Sequence, residues 1–154
     1  MAPASSVELS PDEPLRDAAR RVIAARSEDL AGIAPGAAGS DDPEALHDVR
    51  VAVRRLTSAI DVFADGLEED ARGRARRMLR SDAAPLGRAR DLDVQIALVR
   101  RFLKAARTSE QAGIAHVLTV LTSERAEAEA EVLPAIAALA EDDLREALAE
   151  LSAP

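Results

Sequence analysis

The spacing of the apolar residues constrains the fold of this chain more than any other feature of its sequence. From residue 46 to residue 67 they recur in alternating steps of three and four, which is the a/d pattern of a helix packed along most of its length in a bundle. The residues in this series are Leu46, Val49, Val53, Leu56, Ile60, Phe63 and Leu67. No segment shows the alternation at every second residue that is typical of a half-buried strand. The sequence therefore predicts an all-α protein.

Start and stop signals place the first two helices. Residues 10–13 form a capping box with proline at the first helical position, so we expect the first helix to begin there. Glycines between residues 32 and 39 end it. Residues 41–44 start the second helix in the same way, and Gly66 is placed to end it.

The third and fourth helices are predicted to be separated by a break. Apolar spacing predicts a third helix over residues 67–84, which Pro85 and Gly87 interrupt. The fourth helix is expected to begin near Asp91, whose carboxylate would cap its first amides. On that interpretation the aspartates here are purely structural.

A long fifth segment follows Ser109, and Pro134 is expected to kink or split it before a short last helix at residues 141–151. Because the connections are short, neighbouring helices should be antiparallel. We therefore expect an up-and-down bundle of about four main helices, a kinked long helix and a short C-terminal helix. It would form one domain over residues 13–151, after a disordered arm at residues 1–12.

Charge is unevenly distributed along the chain. The formal net charge is −8, yet residues 47–107 contain 14 Lys and Arg against 9 Asp and Glu, and the two flanks contain 6 against 19. Nineteen of the 20 cations are arginine, whose planar fork grips phosphate or carboxylate oxygens. The overall negative charge and the scarcity of aromatic side chains for base stacking disfavour nucleic acid as the ligand.

Other classes of protein are disfavoured by what the sequence lacks. There is no cysteine, no secretory leader and no run of 18 apolar residues, so we expect a soluble, cytoplasmic protein that does not enter a membrane. No Ser/His/Asp set, glycine-rich phosphate loop or Glu-x-x-His pair is evident, and we expect neither catalysis nor a metal or cofactor. His116 lies among apolar residues and is expected to be packed.

A stripe of basic side chains lies on the second helix. His47, Arg50 and Arg54 are three and four residues apart, so they neighbour one another beside the apolar seam. Such donors suit phosphate oxygens. An ordinary solvated face with a histidine at its rim would show the same pattern.

Two motifs resemble the CHAD domain family, which is named for its histidines and helices. Residues 46–56 are similar to its His-x-x-Arg-Val-x-x-Arg-Arg helix, and residues 86–94 are similar to its Leu-Gly-x-x-Arg-Asp-x-Asp-Val turn. The resemblance implies a non-catalytic helical domain whose basic inner surface binds inorganic polyphosphate.

The resemblance also implies which residues bind. The basic motif positions are His47, Arg50, Arg54, Arg55 and Arg90, and the acidic ones, Asp91 and Asp93, would orient those arginines. Side chains projecting from adjacent helices could extend the surface, and these are Arg80, Arg88, Arg101 and Lys104.

Members of the family usually carry two similar bundles, but nothing after Arg107 repeats the His/Arg helix. The chain therefore resembles one half of a double bundle. We expect two copies to pair as a homodimer, so that a second basic face replaces the missing one. A half that has lost binding is one alternative, and another is a helical protein–protein interaction module whose basic island meets an acidic partner without any small polyanion.

Overall fold

The computed structural model describes residues 4–37 and 43–153, and over these residues it is an all-α bundle of five helices without a strand. The helices are α1 (Leu15–Ala37), α2 (Pro43–Val62), α3 (Glu69–Ala105), α4 (Thr108–Ala138) and α5 (Asp142–Ser152). A single 3₁₀ turn, Ala64–Gly66, lies between α2 and α3. The predicted all-α fold class is confirmed.

The helices pack around one core. Helix α1 contacts α2, α4 and α5, and α3 contacts α2, α4 and α5. Short turns join α2 to α3 and α3 to α4, so these two pairs are antiparallel. Helix α5 continues in the direction of α4 along α3, since Glu131 pairs with Arg88 and Glu150 pairs with Arg74. Every helix contributes side chains that are almost completely buried, including Ile23, Leu30, Leu56, Ile60, Leu79, Leu86, Ile136 and Leu144. Among the described helices, none is long and apolar enough to span a bilayer.

Helix α2 has the buried face that its apolar spacing predicts. Val49, Leu56 and Ile60 are completely buried, and Leu46 and Phe63 are partly exposed at its two ends. The predicted start at residue 43 is confirmed, whereas its capping aspartates, Asp41 and Asp42, lie outside the described residues. The helix ends before the 3₁₀ turn, where Gly66 approaches the start of α1. A Cβ on Gly66 would lie 3.3 Å from the carbonyl oxygen of Leu15.

Helix α1 begins later than its capping box predicts. The backbone N–H of Ser10 donates to Glu13 Oε1 at 2.9 Å, so the box exists, but it closes a turn ahead of the helix. The carbonyl of Pro14 accepts the first helical hydrogen bonds, from the N–H groups of Asp17 and Ala18. The predicted start at Pro11 is therefore wrong by about one turn.

The predicted break between a third and a fourth helix is wrong, because α3 continues through Pro85 and Gly87 for 37 residues. An interior proline costs a helix about 3 kcal/mol. Its neighbours Leu86 and Ala89 are completely buried, and burying one leucine stabilises by about 1.5–3 kcal/mol. Core packing directly after the proline thus offsets its local cost. Asp91 is consequently an exposed residue inside a helix and caps nothing.

In the C-terminal part, the structure agrees more closely with the helices predicted from the sequence. Helix α4 starts one residue before Ser109 and is not split, since it continues past Pro134 to Ala138. Helix α5 matches the predicted last helix, and its buried residues Leu144, Leu148 and Leu151 pack into the core against α1 and α3.

Residues 4–10 form no helix or strand, and they are tied to α1. The Ser5 Oγ donates to Asp29 Oδ1 at 2.5 Å, and Arg26 Nη1 lies 2.6 Å from Asp29 Oδ2. Burial opposes ionisation of Asp29, but the hydrogen bonds from Ser5 and Arg26 outweigh it and lower the pKa of Asp29. Disorder of residues 1–12 stays a prediction, and residues 1–3 lie outside the described part of the chain.

Candidate functional site

An open groove of about 1170 Å³ separates the C-terminal half of α2 from the first half of α3. We call it the arginine groove, because six arginines line it against only two carboxylates. The arginines are Arg54, Arg72, Arg74, Arg76, Arg77 and Arg80, and the carboxylates are Glu69 and Asp70. Thr57 and Ser58 add two hydroxyl groups from α2, and Val53 and Leu79 lie at its base.

The start of α3 holds the groove's arginines in place. The side chain of Glu68 caps the helix, accepting from the backbone N–H groups of Asp70 and Ala71 at 3.1 and 2.7 Å. These hydrogen bonds lower the pKa of Glu68. Acidic residues in the first turn also interact favourably with the helix dipole. The arginines that follow thus belong to a helix whose first backbone N–H groups are hydrogen-bonded by a capping side chain.

Most of the groove's arginines have no acidic partner. Arg74 pairs with Glu150 of α5, and Arg76 Nε lies 2.9 Å from Asp61 Oδ1. The other four form no ion pair with any described residue, and these are Arg54, Arg72, Arg77 and Arg80. Their guanidinium groups are therefore available to an anion from outside the chain.

Arg77 lies close to the backbone of its own helix. A Cβ placed on Gly73 would be 3.3 Å from Arg77 Nη1, so this guanidinium folds back over the glycine, one turn earlier. Gly73 and Arg77 both line the groove. The absence of a side chain at Gly73 keeps the groove open at this point.

The stripe on α2 lies on the groove side. Val53, Arg54, Thr57 and Ser58 line the groove. At 100° per residue, Arg50 falls at the same angle around α2 as these four, and His47 falls within about 50° of their mean direction. Both side chains are partly exposed. They therefore extend the groove face by one and two turns towards the start of α2, although they do not line the groove itself.

Two other predicted binding residues lie elsewhere. Arg55 is partly exposed on the side of α2 away from the groove. Arg88 is exposed on α3, with Nη1 3.9 Å from Glu131 Oε1 of α4. Neither lines the groove.

The remaining predicted cations follow the groove along α3. Arg90 is partly exposed beyond the end of the groove lining. Arg101 and Lys104 are exposed in the last turns of α3, more than ten residues farther on, and the groove does not reach them.

The two motif aspartates point to different sides of α3. Asp91 is exposed, whereas Asp93 Oδ1 accepts from Arg125 Nε of α4 at 2.8 Å. Arg125 also pairs with Glu129, and although burial opposes its charge, the two carboxylates raise the pKa of Arg125. Asp93 thus orients an arginine that the sequence did not select. No group of three metal-ligating side chains comes together among the residues of known position.

Sequence reasoning missed four of the six groove arginines, namely Arg72, Arg74, Arg76 and Arg77. A signal was available, since residues 72–80 contain five arginines in nine positions. It could not be used, because the side of α3 that faces α2 depends on packing. The prediction for His116 is wrong, since this side chain is exposed on α4.

The sequence pattern of the CHAD domain family matches residues 15–154, a stretch that begins at the first residue of α1 and includes all five helices. This chain belongs to the CHAD domain family. CHAD domains are helical and non-catalytic as a family, and they are known from polyphosphate-binding contexts. Among curated proteins, none matches the chain. In this CHAD domain the His/Arg motif supplies Arg54 to the groove, and the second motif forms the part of α3 just beyond it.

Proposed function

We propose that this CHAD domain binds inorganic polyphosphate along the arginine groove and performs no reaction on it. The observation that carries the proposal is the set of four arginines that have no acidic partner among the described residues and face one open groove from two helices. They are Arg54, Arg72, Arg77 and Arg80.

The chemistry of the groove suits a linear phosphate chain. Each guanidinium presents parallel N–H donors that match two phosphate oxygens, and it stays charged at every physiological pH. Thr57 and Ser58 add neutral donors on the opposite wall. Binding would displace counterions from the polyanion, so the affinity should fall steeply with salt, by analogy with nucleic acids.

The predicted contacts outside the groove extend this proposal in two directions. His47 and Arg50 would continue the binding face along α2, and Arg90 would continue it along α3. Arg55, Arg88, Arg101 and Lys104 stay predicted contacts, of lower weight, because they lie away from the groove.

A titration tests the proposal. Long-chain polyphosphate is titrated into wild type and into the Arg54→Ala/Arg80→Ala variant, with short polyphosphate and duplex DNA as competing ligands. We expect the double variant to bind long polyphosphate at least about 10-fold more weakly, because two charge-assisted contacts are lost. The matched control is Arg16→Ala/Arg145→Ala, which removes two exposed arginines outside the groove and should leave the affinity unchanged.

The results also distinguish the alternative function. A polyphosphate site should bind longer polymers more tightly, since more phosphates engage the groove. If wild type binds no polyphosphate, or if the control variant weakens binding as much as the groove variant does, the proposal is wrong. The interaction module with an acidic protein partner would then account better for the arginines.

A further inference from the structure

The far end of the α3–α4 hairpin exposes a group of large apolar side chains. Among the described residues nine such side chains are exposed, and five of the nine belong to this hairpin end. We call these five the hairpin patch, and each is between 43% and 60% exposed: Val94, Leu98 and Phe102 on α3, and Val117 and Val120 on α4. Phe102 is the most exposed of the five, and exposed aromatic residues are typical of interfaces.

Four of the five members of the hairpin patch lie on one flank of the hairpin. The ion pair between Arg88 and Glu131 marks a flank shared by α3 and α4. Phe102 follows Arg88 by two heptads, and Val117 precedes Glu131 by two heptads. Because two heptads are close to four helical turns, each of the two apolar residues lies on the same side of its helix as the ion-pair residue, and therefore on this flank. Leu98 and Val120 each lie about one turn from them on the same side, whereas Val94 lies on the side of α3 that points away from α4. Four of the five side chains therefore form a continuous surface across both helices.

No other helix in the described part of the chain covers this flank. Asp61 of α2 pairs with Arg76 of α3, so the first residue of α2, Pro43, lies level with about residue 94 of α3, and roughly 17 Å of α3 extends beyond α2. The ion pair between Asp93 and Arg125 joins α3 to α4 at the start of this extension. A contiguous apolar surface left open in this way is typical of an interaction site.

We infer that a second copy of this chain covers the hairpin patch, forming a two-fold dimer. A two-fold axis parallel to the hairpin places α3 of each copy over α4 of the other. The charges favour this arrangement, since residues 94–105 of α3 contain three basic and no acidic residues, whereas residues 110–131 of α4 contain five glutamates and one arginine. The basic helix of each copy then faces the acidic helix of its partner, around an apolar centre.

The dimer does not depend on the proposed polyphosphate binding. The hairpin patch and the arginine groove occupy different parts of α3, and no residue of the patch lines the groove. Self-association is therefore measured without polyphosphate. A monomer that still binds polyphosphate would overturn this inference alone.

The test is the mass of the full chain by sedimentation equilibrium. We expect wild type to approach twice its 16.3 kDa mass at protein concentrations of about 100 μM, the scale of a modest interface. Phe102→Asp should raise the dimer Kd about 30-fold or more, as loss of a central aromatic anchor does. Glu124→Lys, which places a cation opposite the basic helix, should raise it less.

Leu133→Asp is the matched control. Leu133 is 53% exposed on α4 but lies on the opposite flank, so an aspartate there should leave the dimer Kd unchanged. Circular dichroism would confirm that each variant remains helical. The inference is overturned if wild type stays monomeric throughout, or if Leu133→Asp weakens the dimer as much as Phe102→Asp does.

Discussion

The two halves of α3 use the same side of one helix for different chemistry. In the base half, residues 69–88, this side faces α2 across a groove and carries arginines. In the tip half, residues 89–105, it extends for the most part beyond α2 and carries the α3 residues of the hairpin patch. Cations are placed where a second helix makes the surface concave, and apolar groups are placed where the helix pair stands alone. The surroundings of a helix face, and not its position on the helix, therefore determine which ligand it suits.

The largest expected difference between the halves is in stability. Leu86→Ala, in the base half, should lower the free energy of unfolding by about 2–5 kcal/mol, because Leu86 is completely buried. Leu98→Ala, in the tip half, should cost less than about 1 kcal/mol, since this side chain is 43% exposed. Urea unfolding of dilute protein measures both. Equal losses would contradict the description of the tip half as partly uncovered.

The next largest expected difference between the halves is in their contribution to polyphosphate affinity. Arg80→Ala removes a groove arginine and should weaken binding of long polyphosphate about 10-fold, a loss of about 1.4 kcal/mol. Arg101→Ala removes an arginine of the tip half, and we expect it to weaken binding less than about 3-fold. Isothermal titration at protein concentrations below the dimer Kd compares the two. If Arg101→Ala weakened binding more than Arg80→Ala did, the ligand would bind along the tip half and not in the groove.

A smaller effect is expected where α4 anchors the tip half. Arg125→Ala removes the partner of Asp93 and Glu129 and should cost about 1 kcal/mol of stability, the upper range for a pair that is still partly hydrated. Arg145→Ala, which breaks a fully solvated pair with Asp142, is the comparison and should be nearly neutral. Thermal unfolding followed by circular dichroism gives both values. A larger loss at Arg145 would show that solvent exposure does not govern these pairs.

The smallest expected effect is a pH-dependent change in stability at Asp82, which lies on the side of the base half opposite the groove. Burial raises the pKa of Asp82, and repulsion from Glu141 raises it further. Ionised Asp82 therefore destabilises the fold at neutral pH. This cost disappears as the pH falls through the raised pKa towards the ordinary value of 3.8.

Asp82→Asn should accordingly stabilise the protein slightly at pH 7, and the gain should shrink as the pH approaches 4. Denaturant unfolding at several pH values measures this. The control is Glu146→Gln on α5, an exposed position where the same loss of one charge should change little. A gain from Asp82→Asn that did not depend on pH would exclude the carboxylate's ionisation as its cause.

Much of the fold could be predicted because it depends on local spacing. The seam of α2, its start at residue 43 and the short last helix all follow from residues three and four apart and from nearby helix signals. The break at Pro85 was predicted wrongly, since its cost is local whereas the compensating burial of Leu86 and Ala89 comes from distant parts of the chain. Sequence rules of short range cannot weigh these two contributions.

The candidate site was predictable in part for a related reason. Arg54 and Arg80 were selected and line the same groove, because one lies in a recognisable motif and the other on the adjacent helix. Arg72 and Arg77 were not selected, since the side of α3 that faces α2 becomes known only from packing. The hairpin patch was missed likewise, because its members have the same apolar spacing as a buried face and differ only in having nothing above them.

The docking of α5 has a consequence for synthesis. This helix completes the core through Leu144, Leu148 and Leu151, and it does so against α1, which is synthesised well before it. A nascent chain that has not yet reached residue 142 leaves the α5-facing side of α1 open to water. That side of α1 is therefore covered only after these three leucines have been synthesised.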